Sequence, residues 1–132
     1  DPKHAWEFEL RRKRGAHLFS KHRYLSAQMM GYLSDNAWKE AAVKANANAA
    51  HLAGGLRQIE GASFMYPPQA NMIFVALPRA THKRLFAAGA EYHLWSGSLE
   101  GDDPDEMLEA RLVCDWSITM DQINQFLDIA KG

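Results

Sequence analysis

The sequence has few of the features that confine a chain to a special class of protein. It contains a single cysteine, Cys114, so no disulfide can form within its 132 residues, and we expect a reducing, cytoplasmic compartment. No apolar run is long enough to cross a bilayer and no signal peptide opens the chain, so we expect no membrane partner. Lys and Arg (15) nearly balance Asp and Glu (16), which argues against nucleic acid as a partner.

What the chain does contain is typical of a globular protein. Hydrophobic residues make up 47% and charged residues 23%, enough for a core and too few charges for wholesale disorder. The length fits one domain, or a small domain with a leading arm. Asp1-Pro2 stands where an initiator methionine would, so we expect a fragment or a processed product.

Three helices are predicted in the first half of the chain. Periodic apolar positions indicate helices at residues 3–14 and 23–33. A longer stripe with three- and four-residue spacing follows, through Trp38, Ala41, Ala45, Ala49, Leu52, Leu56 and Ile59. Three of its seven members are alanines, so we expect a close approach by another element. The pair Gly54-Gly55 marks such an approach or an early helix end.

After Gly61 the periodicity changes to that of short strands and helices. We predict strands at residues 63–66, 71–77, 91–95 and 109–117, a helix at 80–88, a Gly- and Asp-rich loop at 96–108, and a final helix whose capping box is Thr119 and Gln122. On the last strand Ala110, Leu112, Cys114 and Trp116 would share one face. The predicted fold class is α+β, a small, mostly antiparallel sheet with helices on one face, after a long helix and a helical arm.

Four segments resemble low-specificity L-threonine aldolases, which are pyridoxal-phosphate (PLP) enzymes. They read RRKRGAHLFSKHRYLSA at residues 11–27, ANANA at 45–49, QANMIFV at 69–75 and ARLV at 110–113. The first and last are the most specific. The element order is also similar to the C-terminal domain of fold-type I PLP enzymes, the aspartate-aminotransferase-like group, in which a long helix links a large cofactor domain to a small α+β domain.

The resemblance implies a lyase that splits L-threonine or L-allo-threonine into glycine and acetaldehyde, with PLP as the electron sink. It implies a helical arm of the large domain at residues 1–33, the connecting helix at 34–60 and the small domain at 61–132. The lysine that forms the Schiff base would lie before Asp1, so we expect the chain to be inactive alone. Its partners would be the amino acid substrate, the large domain and neighbouring subunits of a homo-oligomer.

The resemblance also implies roles for three basic residues and places no catalytic residue in this chain. Arg111 would grip the substrate α-carboxylate, since a planar guanidinium can donate two parallel hydrogen bonds. Lys21 would reach the cofactor phosphate as a point charge, and Arg14 would belong to the same basic site. Without the resemblance, each of these residues would be read as a solvated surface cation.

Other interpretations of the same residues stay open. The basic run at residues 11–14 would also suit nucleic acid, but acidic Glu7 and Glu9 lie beside it. The six histidines lack zinc spacing and the Asp-rich loop lacks calcium-loop spacing, so no metal is predicted.

The whole chain could belong to another fold-type I lyase, such as a β-eliminating enzyme, or be a non-catalytic α+β binding module. In an enzyme part, residues 1–33 and the alanine face of the long helix should expose apolar surface; in a free-standing module they should not.

Overall fold

The computed structural model describes residues 1–132, which form two compact units, residues 1–38 and 39–132. The first unit is helical and the second combines helices with a sheet. Each unit is described by itself.

The first unit consists of two helices and two short 3-10 turns. After a turn at Pro2–His4, helix α1 spans Ala5–Arg14 and helix α2 spans His22–Leu33, which confirms both predicted helices; a second turn covers Ser34–Asn36. None of residues 1–38 is buried. Large apolar side chains are instead exposed on both helices, among them Trp6, Phe8, Tyr24, Leu25, Met29 and Met30. The unit therefore has no hydrophobic core of its own.

Helix α3 spans Ala37–Leu56, and its buried face reproduces the predicted stripe from its middle onward. Ala45, Ala49 and Ala53 are buried in the core of the second unit. The expectation that the alanine face would be left exposed is therefore wrong, because the chain covers these alanines itself. Ile59 is buried too, but it lies beyond the end of the helix.

The sheet has four strands: β1 spans Ser63–Phe64, β2 Met72–Pro78, β3 His93–Ser96 and β4 Met107–Val113. All neighbours are antiparallel, in the order β1-β2-β4-β3. Helix α4, Arg79–Ala87, follows β2, and helix α5, Met120–Lys131, ends the chain. The α+β class and the mostly antiparallel sheet are thus confirmed.

The two faces of the sheet differ in burial because side chains alternate along each strand. Residues of the inner face are buried with α3, α4 and α5 in one cluster: Ile73, Val75 and Leu77 on β2, and Ala110 and Leu112 on β4. Residues of the opposite face, such as Phe74 and Arg111, are only half-buried. One face of the sheet thus faces the helices, and the other carries Arg111.

Strand β4 ends earlier than its alternating pattern predicts. The expected strand was 109–117, but the ladder stops at Val113. The Asp115 carboxylate accepts hydrogen bonds from the backbone N–H groups of Ser117 and Ile118, at 2.8 and 3.0 Å, and so turns the chain. Trp116 is therefore 59% exposed, and the prediction that it faces the core is wrong.

The loop between β3 and β4 is held by a buried arginine, Arg79. Its Nη1 and Nε donate to the backbone carbonyls of Asp103 and Ser98, and its Nη2 lies 2.6 Å from the Glu106 carboxylate. The backbone N–H of Arg79 also donates to the Glu106 carbonyl at 2.8 Å. Because this loop connects the strands that carry Trp95 and Arg111, Arg79 fixes the connection between them.

Candidate functional site

Arg111 occupies the middle of the sheet face that lies opposite the core. It is directly opposite Phe74 on β2 and His93 on β3 in the two ladders. Partners that are directly opposite in an antiparallel ladder share a face. Arg111 is therefore flanked by two aromatic rings on the same face, which is the face that the sequence predicted for it.

The guanidinium of Arg111 has no acceptor within the chain. Its Nε is the one buried side-chain nitrogen or oxygen that lacks a hydrogen-bond partner. A buried donor left unpaired costs about 1–3 kcal/mol, so native chains rarely retain one without a reason. An unpaired donor on a cationic side chain suits a ligand or partner group that accepts hydrogen bonds and carries negative charge.

Three aromatic side chains form a series of contacts that begins at Arg111. The Arg111 Cζ atom lies 5.8 Å from the centre of the Trp95 ring, within the range of a cation–π contact. Trp95 packs edge-on against Phe74 at 5.2 Å, and Phe74 packs edge-on against Tyr66 at 5.9 Å. Sequence reasoning missed these contacts, although the spacing of His93 and Trp95 on one predicted strand was a usable signal.

Arg14 and Lys21 lie in the first unit, at either end of the connection between α1 and α2. In the basic run, Arg11 pairs with Glu7 and Arg12 with Glu9. Arg14 and Lys21 have no ion-pair or hydrogen-bond partner for their side chains and are exposed. The structure therefore leaves these two cations available while it neutralises Arg11 and Arg12.

Lys21 is the residue before the first turn of α2. No side chain caps this helix end, and no acidic residue lies in its first turn. A helix N-terminus presents unpaired N–H groups and partial positive charge. A lysine at this position adds to that charge, so the end of α2 is suited to an anion.

The other polar residues that the sequence suggested have structural roles. The Cys114 N–H donates to the Asn71 carbonyl at 2.9 Å, which continues the β2–β4 pairing, and Asn71 Nδ2 donates back to the Cys114 carbonyl at 2.8 Å. Burial and the nearby Asp115 raise the pKa of the Cys114 thiol, which favours the inert thiol form.

Among the histidines, His82 is fully buried between Tyr92 and the Leu108 carbonyl. No three His, Cys, Asp or Glu side chains are grouped as a metal site would need.

A cavity of about 310 Å³ lies on the helical side of the second unit. Leu52, Tyr92, Cys114 and Phe126 are among its lining residues and Arg111 is not, so this cavity is separate from the Arg111 site. None of the helices combines the length and apolar character that crossing a bilayer requires.

Comparison with known proteins shows which enzymes the chain is similar to. No family model matches the chain. A low-specificity L-threonine aldolase from Pseudomonas aeruginosa is 32% identical over 121 residues, which are 92% of this chain and 32% of that protein. A second, from a Pseudomonas species, is 33% identical over 112 residues, 85% of this chain and 30% of that protein. The chain thus spans about a third of the length of the curated relatives it matches.

Solved structures show the same fold. A threonine aldolase from Leishmania major matches with a TM-score of 0.66 and 21% identity, over 79% of this chain and 28% of that one. The inhibitor-bound glycine decarboxylase (P-protein) of the glycine cleavage system matches with a TM-score of 0.60 and 19% identity, over 80% and 24%. The fold is therefore that of a part of the fold-type I PLP enzymes. Within that class, the sequence is similar to low-specificity L-threonine aldolases over 92% of the chain.

Proposed function

We propose that the chain is the C-terminal part of a PLP-dependent aldolase that cleaves L-threonine or L-allo-threonine to glycine and acetaldehyde. The similarity to threonine aldolases over 92% of the chain supports this reaction class. One structural observation carries the proposal to a residue: Arg111 presents a buried Nε–H that no group of the chain accepts. An amino acid substrate brings the carboxylate that this donor lacks.

In the proposed reaction Arg111 binds and orients the substrate. Two of its N–H groups would donate to the two α-carboxylate oxygens, an arrangement that the planar guanidinium favours. Each charge-assisted hydrogen bond contributes about 1.5–3 kcal/mol. Because the carboxylate keeps its charge throughout the cleavage, this grip serves mainly to bind the substrate and to fix its orientation.

Arg14 and Lys21 would hold the phosphate of PLP. Their chemistry fits that group, because both are cations without an acidic partner and Lys21 adjoins the open N-terminus of α2. When bound, PLP supplies an electron sink for the amino acid carbon that loses its side chain. The basic residues of this chain would then retain the cofactor and neutralise its phosphate.

The remaining parts of the proposal concern assembly. We propose residues 1–33 as an arm of the large cofactor domain, 34–60 as the connecting helix and 61–132 as the small domain. The first unit supports this, since it buries none of its residues and exposes Trp6, Phe8 and Met30. Exposed apolar surface of this kind marks a contact with another domain or subunit. We further propose a cytoplasmic homo-oligomer whose large domain supplies the Schiff-base lysine.

The role of Arg111 is tested in the complete aldolase that contains this chain. Arg111→Ala should raise KM for L-threonine at least tenfold, as the loss of one charge-assisted hydrogen bond predicts, with a smaller change in kcat. Arg57→Ala is the matched control, because the Arg57 guanidinium also lies over a ring, that of Phe64 at 5.2 Å, but is exposed. An unchanged KM in Arg111→Ala would remove Arg111 from the substrate site.

The role of Lys21 is tested by cofactor retention. Lys21→Ala should lower the amount of PLP that remains bound after dialysis, whereas Lys44→Ala, a change at an exposed lysine of α3, should not. Equal retention in both variants would assign Lys21 to the surface. The 132-residue chain supplied with PLP should release no acetaldehyde from L-threonine, and release would contradict the proposal that it is inactive alone.

A second candidate function is another fold-type I lyase, such as a β-eliminating enzyme. The two are separated by products, because retro-aldol cleavage of threonine yields glycine and acetaldehyde, whereas β-elimination yields ammonia and a keto acid. A free-standing α+β binding module is less favoured. Such a module would bury its own apolar side chains, whereas none of residues 1–38 is buried.

A further inference from the structure

Strand β3 contains a β-bulge next to Arg111. In its ladder with β4, His93 lies opposite Arg111 and Leu94 opposite Ala110, but Ser96 lies opposite Glu109. Trp95 is therefore the extra residue, with no partner of its own. A bulge bends the strand and re-aims side chains on either side of it.

The two residues of the bulge contact the two charged residues of this face. Trp95 lies over the Arg111 guanidinium, at 5.8 Å from Cζ to the ring centre. Ser96 donates from Oγ to the Glu109 carboxylate at 2.7 Å. A regular strand would have placed Trp95, and not Ser96, opposite Glu109.

Glu109 is a potential competitor for Arg111. The two residues are two apart on β4 and share a face, so their backbones are about 7 Å apart at the usual strand rise. Arginine and glutamate side chains easily span that distance. The Glu109 carboxylate nevertheless bonds Ser96, and the Arg111 guanidinium forms no salt bridge.

We propose that this bulge keeps Arg111 open to an incoming carboxylate. Trp95 orients the guanidinium without neutralising it, because an aromatic face attracts a cation but carries no net charge. Ser96 holds Glu109 away, so that substrate and protein carboxylates do not compete for the same N–H groups. Trp95 and Ser96 are thus positioning residues, and the inference rests on the carboxylate-binding role proposed for Arg111.

The decisive test is a rescue experiment on the 132-residue chain with acetate as the probe. The Arg111 Nε–H signal is followed by NMR as acetate is added. Ser96→Ala should free Glu109 to pair with Arg111 and weaken acetate binding about two- to fivefold, the range of an exposed ion pair. Ser96→Ala with Glu109→Gln should restore wild-type binding, and Ser96→Thr, which keeps the hydroxyl, should bind like wild type.

The aromatic contact is tested in the same way. Trp95→Leu should weaken acetate binding about two- to fivefold, the range of an exposed cation–π contact. Trp95→Phe should retain most of the binding, because it keeps an aromatic ring. This variant also controls for a folding defect in Trp95→Leu. In the complete enzyme, Ser96→Ala should raise KM for L-threonine and leave kcat nearly unchanged, and the double variant should reverse this.

The outcomes separate the inference from the proposed function. Acetate could produce no saturable shift of the Arg111 Nε–H signal in wild type. Acetate could also shift the Trp95 indole signal equally in wild type and in Arg111→Ala. Either result would show that Arg111 does not bind carboxylates, and would overturn both the proposed role of Arg111 and the role of the bulge. If Arg111→Ala loses binding but Ser96→Ala binds like wild type, or Glu109→Gln fails to restore it, the positioning role of the bulge is overturned alone.

Discussion

Replacing Gly55 with alanine tests how closely α3 and α5 pack. A Cβ atom built at Gly55 would lie against the Leu127 Cδ1 methyl, 2.7 Å from Cδ2 and 3.0 Å from Cγ. These separations are well inside van der Waals contact, and Leu127 is itself buried. Its side chain or the helix must therefore move to accept the methyl group. At Gly54, by contrast, no atom lies within 4 Å of the added Cβ.

The pair of glycines isolates the cost of this clash. Overpacking a core by a methylene costs about 1–3 kcal/mol. Gly→Ala within a helix contributes up to about 1 kcal/mol of stability through backbone entropy. That gain applies to both positions, so it cancels in the difference. We expect Gly55→Ala to be about 1–3 kcal/mol less stable than Gly54→Ala, and Gly54→Ala to equal or exceed wild type.

Urea unfolding of the two variants and the wild type, followed by circular dichroism, measures the difference. A double-mutant cycle then assigns it to one contact. Leu127→Ala alone should destabilise the chain by about 2–5 kcal/mol, but in that background Gly55→Ala should cost nothing further. Equal stability of the Gly54 and Gly55 variants, or an unchanged cost of Gly55→Ala without the Leu127 side chain, would contradict close packing of Gly55 against Leu127.

Three further predictions concern stability. Burial lowers the pKa of His82 below its usual 6.5, so as pH falls the unfolded chain becomes protonated at His82 before the folded chain does. Stability should therefore fall below about pH 6.5, by at most about 1.4 kcal/mol per pH unit. In unfolding titrations, His82→Gln should flatten this pH dependence. Thr119→Ala removes a capping box shared with Gln122 and should lower the free energy of unfolding in urea by about 0.5–2 kcal/mol. An unchanged unfolding midpoint would show that the cap does not stabilise α5. Arg79→Ala should cost about 3 kcal/mol, as the loss of two charge-assisted hydrogen bonds predicts. It should also speed amide hydrogen exchange in the loop after β3, and unchanged exchange would show that Arg79 does not order this loop.

Elements with a local code were predictable from the sequence. The capping box at Thr119 and Gln122 is formed as expected, because its partners are three residues apart and need no tertiary context. Helix α3 follows its apolar period. The pair Gly54-Gly55 was expected to mark a close approach or an early helix end; Gly55 lies against Leu127, and the helix ends at Leu56, before Ile59. The face of Arg111 followed from the two-residue alternation of β4, since strand geometry alone decides it.

Two features were not predicted from the sequence: one is set by a local turn and the other by residues distant in sequence. The end of β4 at Val113 was missed because the Asp115 turn overrides an alternating pattern that continues past it. The exposure predicted for the alanine face was wrong, because burial depends on which elements the chain folds against it.

The sequence by itself determined the order of helices and strands, the α+β class and the similarity to threonine aldolases. It also singled out Arg111 as the candidate carboxylate-binding residue. Only the tertiary structure decided that Arg111 lacks an acceptor, that Trp95 lies over it and that Ser96 bonds the Glu109 carboxylate. The physical reason is that the first set follows from periodicity and local hydrogen bonds. The second depends on the register of β3 against β4, which a single bulged residue changes.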